Sequence, residues 1–251
     1  MAITYIFIVI YAMILSSFLN VVAIRIPKGE SVVFPPSHCV HCHHRLSVRD
    51  LLPIFSYLFL KGKCRYCRVS ITPLYLFGEI TTTFFLTFTI WKIGFTSELW
   101  IAVPLVCLLA IITISDLLYR IIPNKVNFFF FCYFLLMRFF VHPLPTYYYW
   151  LGILSGGGVL FLLAILSRGG MGGGDVKLMA VVGIALGWKL TLFALFLASL
   201  LGSMIGVFLL VIGVVKRKQP VPFGPFLAIG SFASYLWGND WINWYIHYIM
   251  F

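Results

Sequence analysis

Apolar residues run along this chain in blocks of about twenty, and a block of that length crosses a bilayer as a helix. Such blocks cover residues 3–24, 74–93, 100–118 and 126–141. A fifth opens on the aromatic cluster Tyr147, Tyr148, Tyr149 and Trp150, as an interfacial belt does, and reaches residue 167. The block at 176–188 is short for a full crossing, so it starts inside the bundle or lies tilted. Residues 191–215 and 221–237 are full crossings. The aromatic tail after Asp240 reads as an interfacial helix or a short extra span. The pattern predicts an all-α polytopic membrane protein with about seven to eight transmembrane helices.

Composition agrees. Of 251 residues, 62% are hydrophobic and 10% charged, against about a quarter charged in an ordinary soluble domain. The net charge of +11 raises nucleic acid or anionic lipid as a partner. Its distribution favours membrane lipid and no nucleic acid. Arg25, Lys28, Arg45, Arg49, Lys61, Lys63, Arg65 and Arg68 share one segment, and Lys216, Arg217 and Lys218 form a second cluster. Basic residues near span ends mark cytoplasmic loops. No basic stretch precedes the first block, so it reads as a retained span with its N-terminus outside and not as a cleaved signal. The loop at 25–72, the ends near Asp116 and Asp175, and the turn at 216–220 then all face the cytoplasm.

The chain has seven acids. Glu30 and Asp50 lie in the basic loop, and Glu98 and Asp240 lie in or beside outer loops. Glu79, Asp116 and Asp175 fall within or beside spans, where a carboxyl group is costly and normally serves function. Two aspartates in a partly dry site share a proton. One then acts as base toward water while the other donates to a scissile carbonyl, which hydrolyses a peptide without a metal. A structural reading stands beside this one. Asp116 and Arg120 are spaced i, i+4 for an ordinary ion pair, and Asp175 suits an N-cap. The run Gly169-Gly170-Met171-Gly172-Gly173-Gly174 before Asp175 favours the functional reading. Gly170, Gly172, Gly173 and Gly174 let a substrate backbone approach closely, and a cap does not need all four. A phosphate-cradling loop is disfavoured by the carboxylate beside Gly174.

Cys39-x-x-Cys42 and Cys64-x-x-Cys67 stand 21 residues apart in the expected cytoplasmic loop. Thiols stay reduced there, and two such pairs supply four thiolates to one tetrahedral zinc. A closed set of four cysteines is structural, and folds a loop too poor in apolar residues to fold alone. A redox pair or a loop without metal is the alternative. His38, His41, His43 and His44 read as exposed histidines, and Cys107 and Cys132 as small residues of the spans.

The run Gly172-Gly173-Gly174-Asp175-Val176-Lys177-Leu178, with Gly183, Leu186, Gly187 and Trp188, resembles the GxGD motif of the type IV prepilin peptidases. Ser115-Asp116 through Ile122-Pro123-Asn124 resembles that family's other catalytic segment. Ser17-Phe18-Leu19-Asn20-Val21-Val22 with Arg25 and Pro27 is similar to its opening, and Pro222-Phe223-Gly224-Pro225-Phe226 to its closing motif. The resemblance covers nearly the whole chain in order. It departs at Asn124, where many relatives carry aspartate.

The resemblance implies an intramembrane aspartic endopeptidase with Asp116 and Asp175 as the catalytic pair. Gly172, Gly174, Glu79 and Lys177 would support them. Its substrates would be prepilins or pseudopilins with an N-terminal leader, cut at the cytoplasmic face of the bacterial inner membrane. It further implies N-methylation of the new N-terminus with S-adenosylmethionine, an activity that accompanies the cysteine loop and for which no donor-binding residues are assigned. The expected organisation is a first span at 1–24, the zinc loop at 25–72 and a peptidase core at 73–251. The competing function is a proton- or cation-coupled transporter using the intramembrane aspartates. Such a protein should show repeated halves, and neither the glycine–aspartate segment nor the cysteine loop recurs. A zinc-loop scaffold without chemistry would not need intramembrane acids.

Overall fold

The computed structural model describes residues 2–167, 172–214 and 221–249. Gly169, Gly170 and Met171 of the glycine run and the basic cluster Lys216, Arg217 and Lys218 lie outside the described residues. The chain divides into two compact units, Met1–Phe95 and Thr96–Phe251.

The first unit holds α1 (Ala2–Arg25), a short α2 (Phe55–Phe59) and α3 (Leu74–Ile93). α1 and α3 run antiparallel and are joined by polar side chains, as helices in lipid commonly are. Ser16 Oγ and Thr83 Oγ1 share a buried hydrogen bond of 3.0 Å, and Asn20 Nδ2 donates to the Tyr75 carbonyl at 2.9 Å. The loop between them carries two isolated β-bridges, His38 with Arg45 and Lys63 with Ser70.

The second unit is entirely helical among the described residues: α4 (Leu99–Tyr119), α5 (Asn124–Phe140), α6 (Thr146–Ile153), α7 (Val159–Leu166), α8 (Gly173–Leu186), α9 (Trp188–Val211) and α10 (Gly224–Ile249). A π-helical turn over Leu154–Gly158 joins α6 to α7. α8 lies at the centre, and Asp175, Leu178, Met179 and every residue from Val181 to Leu186 are buried. Its enclosure depends on glycine. A Cβ on Gly152 would strike the Gly183 carbonyl, one on Gly183 would strike that of Gly152, and one on Gly156 would strike that of Met179. The backbones of α6, the π turn and α8 therefore touch, as small residues permit in membrane bundles.

Among the described residues, five helical segments are long and apolar enough to cross a membrane: Ile3–Lys28, Leu74–Ile93, Leu99–Tyr119, Thr146–Leu166 and Trp188–Val211. This is fewer than the seven to eight expected, although the all-α membrane class stands. α5 and α8 are helices of 17 and 14 residues, short of the roughly 20 that a bilayer requires. α10 is one continuous helix of 26 residues whose apolar run is broken by Gly238, Asn239 and Asp240. The tail expected as a separate segment is its continuation.

Glu98 was expected in or beside an outer loop and Arg138 had no expected role, yet together they tie the second unit together. Arg138 is 5% exposed. Its Nη1 and Nη2 donate to Glu98 Oε2 and Oε1 at 3.0 and 2.8 Å, and its Nε donates to the Ala185 carbonyl at 3.1 Å. Nη1 also reaches the Val141 carbonyl at 3.2 Å. The guanidinium lies 4.6 Å from the Tyr149 ring centroid, and Tyr235 Oη donates to Glu98 Oε1 at 2.9 Å. One bidentate pair thus links the starts or ends of α4, α5, α6 and α8 to the middle of α10. Arg138→Met leaves Glu98 without its cation, and breaking a buried pair costs about 3 kcal/mol or more. The thermal unfolding midpoint in detergent should fall, and adding Glu98→Gln should restore part of the loss in a double-mutant cycle.

Candidate active site and metal centre

Asp116 occupies the last turn of α4. The helix ends at Arg120, which is left-handed (φ 54°) and whose N–H closes on the Asp116 carbonyl at 2.9 Å. Ser115 Oγ donates to the Ile121 carbonyl at 2.5 Å, folding residues 121–123 back before α5 starts at Asn124. Among the described residues the ion pairs are Arg65–Asp50 and Arg138–Glu98. The structure therefore lacks the Asp116–Arg120 pair that the spacing allowed. The partner of Asp116 is instead the backbone N–H of Gly224, the first residue of α10, which donates to Oδ2 at 2.8 Å.

Asp175 is the third residue of α8, and Gly172 occupies the N-cap in extended conformation. Asp175 is accordingly not the cap itself. Its Oδ2 lies beside Gly172, and α8 packs against α4, which carries Asp116. Both aspartates are buried, at 6% and 9% exposure. Asp175 lies in the first turn of α8, a favourable place for negative charge.

Three of the nearby glycines have a distinct reason to be small. A Cβ on Gly174 would lie 2.9 Å from Cβ of Ile122, one on Gly224 would lie 2.8 Å from Asp116 Oδ2, and one on Gly172 would lie 3.2 Å from Asp175 Oδ2. Gly173 has open space where its side chain would be. Gly174 thus lets the segment after α4 seat on the start of α8. Lys177 supports the same junction, since its Nζ donates to Asn124 Oδ1 at 2.9 Å. The three motifs, around Asp116, Asp175 and Gly224, form one site.

Glu79 belongs to the first unit, and its Oε2 accepts the Ile54 N–H at 2.7 Å. Ile54 is a β-branched residue at φ 64°, a conformation such residues rarely adopt, and this bond holds it there. Spacing alone gives no signal for the contact.

The thiol sulfurs of Cys39, Cys42, Cys64 and Cys67 all lie within 4.8 Å of one another, and none is in a disulfide. Cys39 and Cys67 Sγ are 3.8 Å apart, matching the sulfur–sulfur edge of about 3.8 Å expected for a tetrahedral ion with ~2.3 Å bonds. Both pairs make the same turn. His43 and Arg68 donate backbone N–H to the Cys39 and Cys64 carbonyls at 2.9 and 3.0 Å, and both are left-handed, at φ 56° and 60°. Backbone N–H groups of Cys42, first, and His41 hold the Cys39 thiol down at about 6. At Cys67 the Val69 N–H opposes burial and the neighbouring thiols, which prevail and raise it to about 11. Nearby, burial pushes Asp50 up, but Arg65 at 2.5 Å and Ser47 hold its carboxylate down at about 2. Of the histidines, His44 packs on Tyr66 with ring centroids 3.7 Å apart, and His38 Nδ1 lies 3.0 Å from the Pro36 carbonyl.

Comparison with known proteins accords with this arrangement. The model of the bacterial peptidase A24 N-terminal domain matches residues 10–93, and that of the type IV leader peptidase family matches residues 103–207. A prepilin leader peptidase/N-methyltransferase of Bacillus subtilis is 37% identical over 240 residues, covering 94% of this chain and 96% of the relative. Proteins of the same description from Aeromonas salmonicida and Pseudomonas aeruginosa are 27% and 28% identical, covering 96% and 97% of this chain and 93% of each relative. No solved structure matches. The chain belongs to the type IV leader peptidase family, and is a membrane peptidase of that family.

Gly224→Ala places a methyl group on the Asp116 carboxyl and displaces it. A misplacement of about 1 Å costs on the order of 100-fold in rate, so leader cleavage should fall by that order while membrane insertion persists. Gly173→Ala, which meets nothing, should cleave within about twofold of the parent protein, a small effect of the kind seen at unobstructed sites. Product formation at matched protein level distinguishes the two.

Proposed function

We propose that the chain removes the N-terminal leader from prepilin-like proteins by an aspartyl dyad, and methylates the amino group so exposed. The observation that carries the first half is the burial of two aspartates from separate motifs, one at the end of α4 and one at the start of α8, whose segments pack together at Gly174 and Ile122, with the Gly224 N–H on Asp116. The pair divides the labour of hydrolysis. One carboxylate draws the proton from an attacking water while the other acid donates to the scissile carbonyl oxygen, which gives a gem-diol. The first acid then passes its proton to the leaving nitrogen, the second takes one back from a diol hydroxyl, and the C–N bond breaks to amine and acid. The Gly224 N–H orients one of the two aspartates, and the positive end of the α8 dipole favours negative charge on the other.

The substrate bond must lie outside regular helix, because helical carbonyls are already hydrogen-bonded. The junction between a polar leader and an apolar helix supplies such a bond. The basic loop supports an orientation with the site toward the cytoplasm. The relatives are named as N-methyltransferases, which supports the second activity with S-adenosylmethionine as donor. We infer zinc in the four-cysteine cluster, where it would be structural with no position open to substrate.

Asp116→Asn and Asp175→Asn should each lower cleavage of a prepilin by roughly 100-fold or more, with insertion and unfolding midpoint retained. Full processing by either variant in a mass-spectrometric assay would remove that residue from the chemistry. Arg120→Ala, whose side chain makes no ion pair, should process normally.

Elemental analysis of protein purified without chelator should find one zinc per chain. Cys64→Ser should lower that content and loosen the loop to protease, leaving the aspartates intact. Metal-free protein with an unaltered loop digest would contradict the assignment. Product masses with and without S-adenosylmethionine then separate cleavage from methylation.

A further inference from the structure

The loop of the first unit exposes an apolar strip that the peptidase reading does not use. Leu51, Leu52, Phe55, Leu58 and Phe59 are 42%, 50%, 51%, 56% and 82% exposed. Phe55, Leu58 and Phe59 stand at i, i+3 and i+4 of α2, so they share one face. The other side of this segment is held by two bonds. Ile54 N–H donates to Glu79 Oε2 at 2.7 Å, and Tyr57 Oη donates to the Ile71 carbonyl at 3.0 Å.

Those two bonds set a depth. α3 has 20 residues, or about 30 Å at ~1.5 Å per residue, which matches the hydrocarbon thickness of a bilayer. Glu79 is five residues beyond Leu74, so it lies about 7.5 Å along that helix. Ile54, bonded to it, shares its level, and Tyr57 is tied to Ile71 just ahead of the helix. α2 is thus held beside the outermost turns of a membrane-crossing helix. Amphipathic segments at an interface bury their apolar face by about 5–10 Å, and the level of Ile54 falls in that range. Lys61 and Lys63 follow immediately and are exposed, where they can meet phosphate groups of the lipid surface while the phenyl rings lie among the acyl chains.

We propose that residues 51–59 insert into the adjacent leaflet as an interfacial segment, with phospholipid as the partner of the Leu51, Leu52, Phe55, Leu58 and Phe59 face. Glu79 is then the tether that sets the depth of insertion, and the cysteine turns are held over the membrane surface by it. This inference is independent of the roles of Asp116 and Asp175.

The test uses the full chain in vesicles of phosphatidylcholine and phosphatidylglycerol, with a benzophenone side chain substituted in turn at Leu58, Phe59 and Val40. Val40 is 78% exposed on the first cysteine turn and serves as the comparison. Irradiation should give lipid adducts at Leu58 and Phe59 in roughly tenfold excess over Val40, because acyl chains surround only the inserted face. Adding Glu79→Gln, which weakens the tether, should lower the adduct yield at Phe59. Equal adducts at all three positions, or none at Leu58 and Phe59, would overturn the proposal. So would adducts to a second polypeptide in place of lipid, which would make the strip a protein-docking face.

Discussion

The close approach of α6 and the π turn to α8 is the constraint on which the second unit depends. Three glycines, Gly152, Gly156 and Gly183, let two backbones touch, and that contact allows a 14-residue helix to be enclosed on nearly all sides. In lipid there is no hydrophobic gain from hiding apolar side chains from the solvent, so close packing and interhelical polar bonds must hold helices together. Arg138 meets the same need at the far end of α8, where it takes the Ala185 carbonyl. α8 is therefore fixed along its length by glycine contacts and at its C-terminal end by a guanidinium. Asp175 inherits its position from both.

Much of this was legible in the chain. The apolar blocks marked α1, α3, α4 and α9 to within a few residues, because a helix in lipid must satisfy its own backbone. The intramembrane acids pointed to Asp116 and Asp175 through their rarity, and the paired cysteines announced their cluster by spacing. What escaped was tertiary. The bond from Gly224 to Asp116 spans 108 positions, and nothing local at Gly224 foretells it. The glycines before Asp175 suggested room for a substrate strand, whereas the space at Gly174 is taken by Ile122. Arg138 carried a readable signal, a cation inside an apolar helix, but its partner Glu98 lies 40 residues away. The segments at 126–141 and 176–188 were counted as spans from hydropathy, yet their helices have 17 and 14 residues, and only the second is largely buried.

The cysteine loop follows a different logic from the bundle. Each Cys-x-x-Cys turn is closed by the same backbone bond and the same left-handed residue, His43 or Arg68. Local chain geometry thus prepares each half for a shared ligand, and the sulfurs need only be brought face to face. The Asp50 carboxylate assists, bonding Ser47 at one side and Arg65 at the other. Few apolar contacts are required. A module built this way can stay ordered in water while its neighbours obey the rules of lipid.

The length of α8 has a consequence for the membrane itself. Fourteen residues rise about 21 Å, roughly 9 Å less than the hydrocarbon layer. Such a helix cannot reach both headgroup regions. Backbone groups beyond a helix end inside the bilayer must be satisfied by the protein or by water. Hydrolysis consumes one water molecule per turnover, and a helix too short to cross the oily layer, with an aspartate in its first turn, makes polar partners obligatory where a full span would need none.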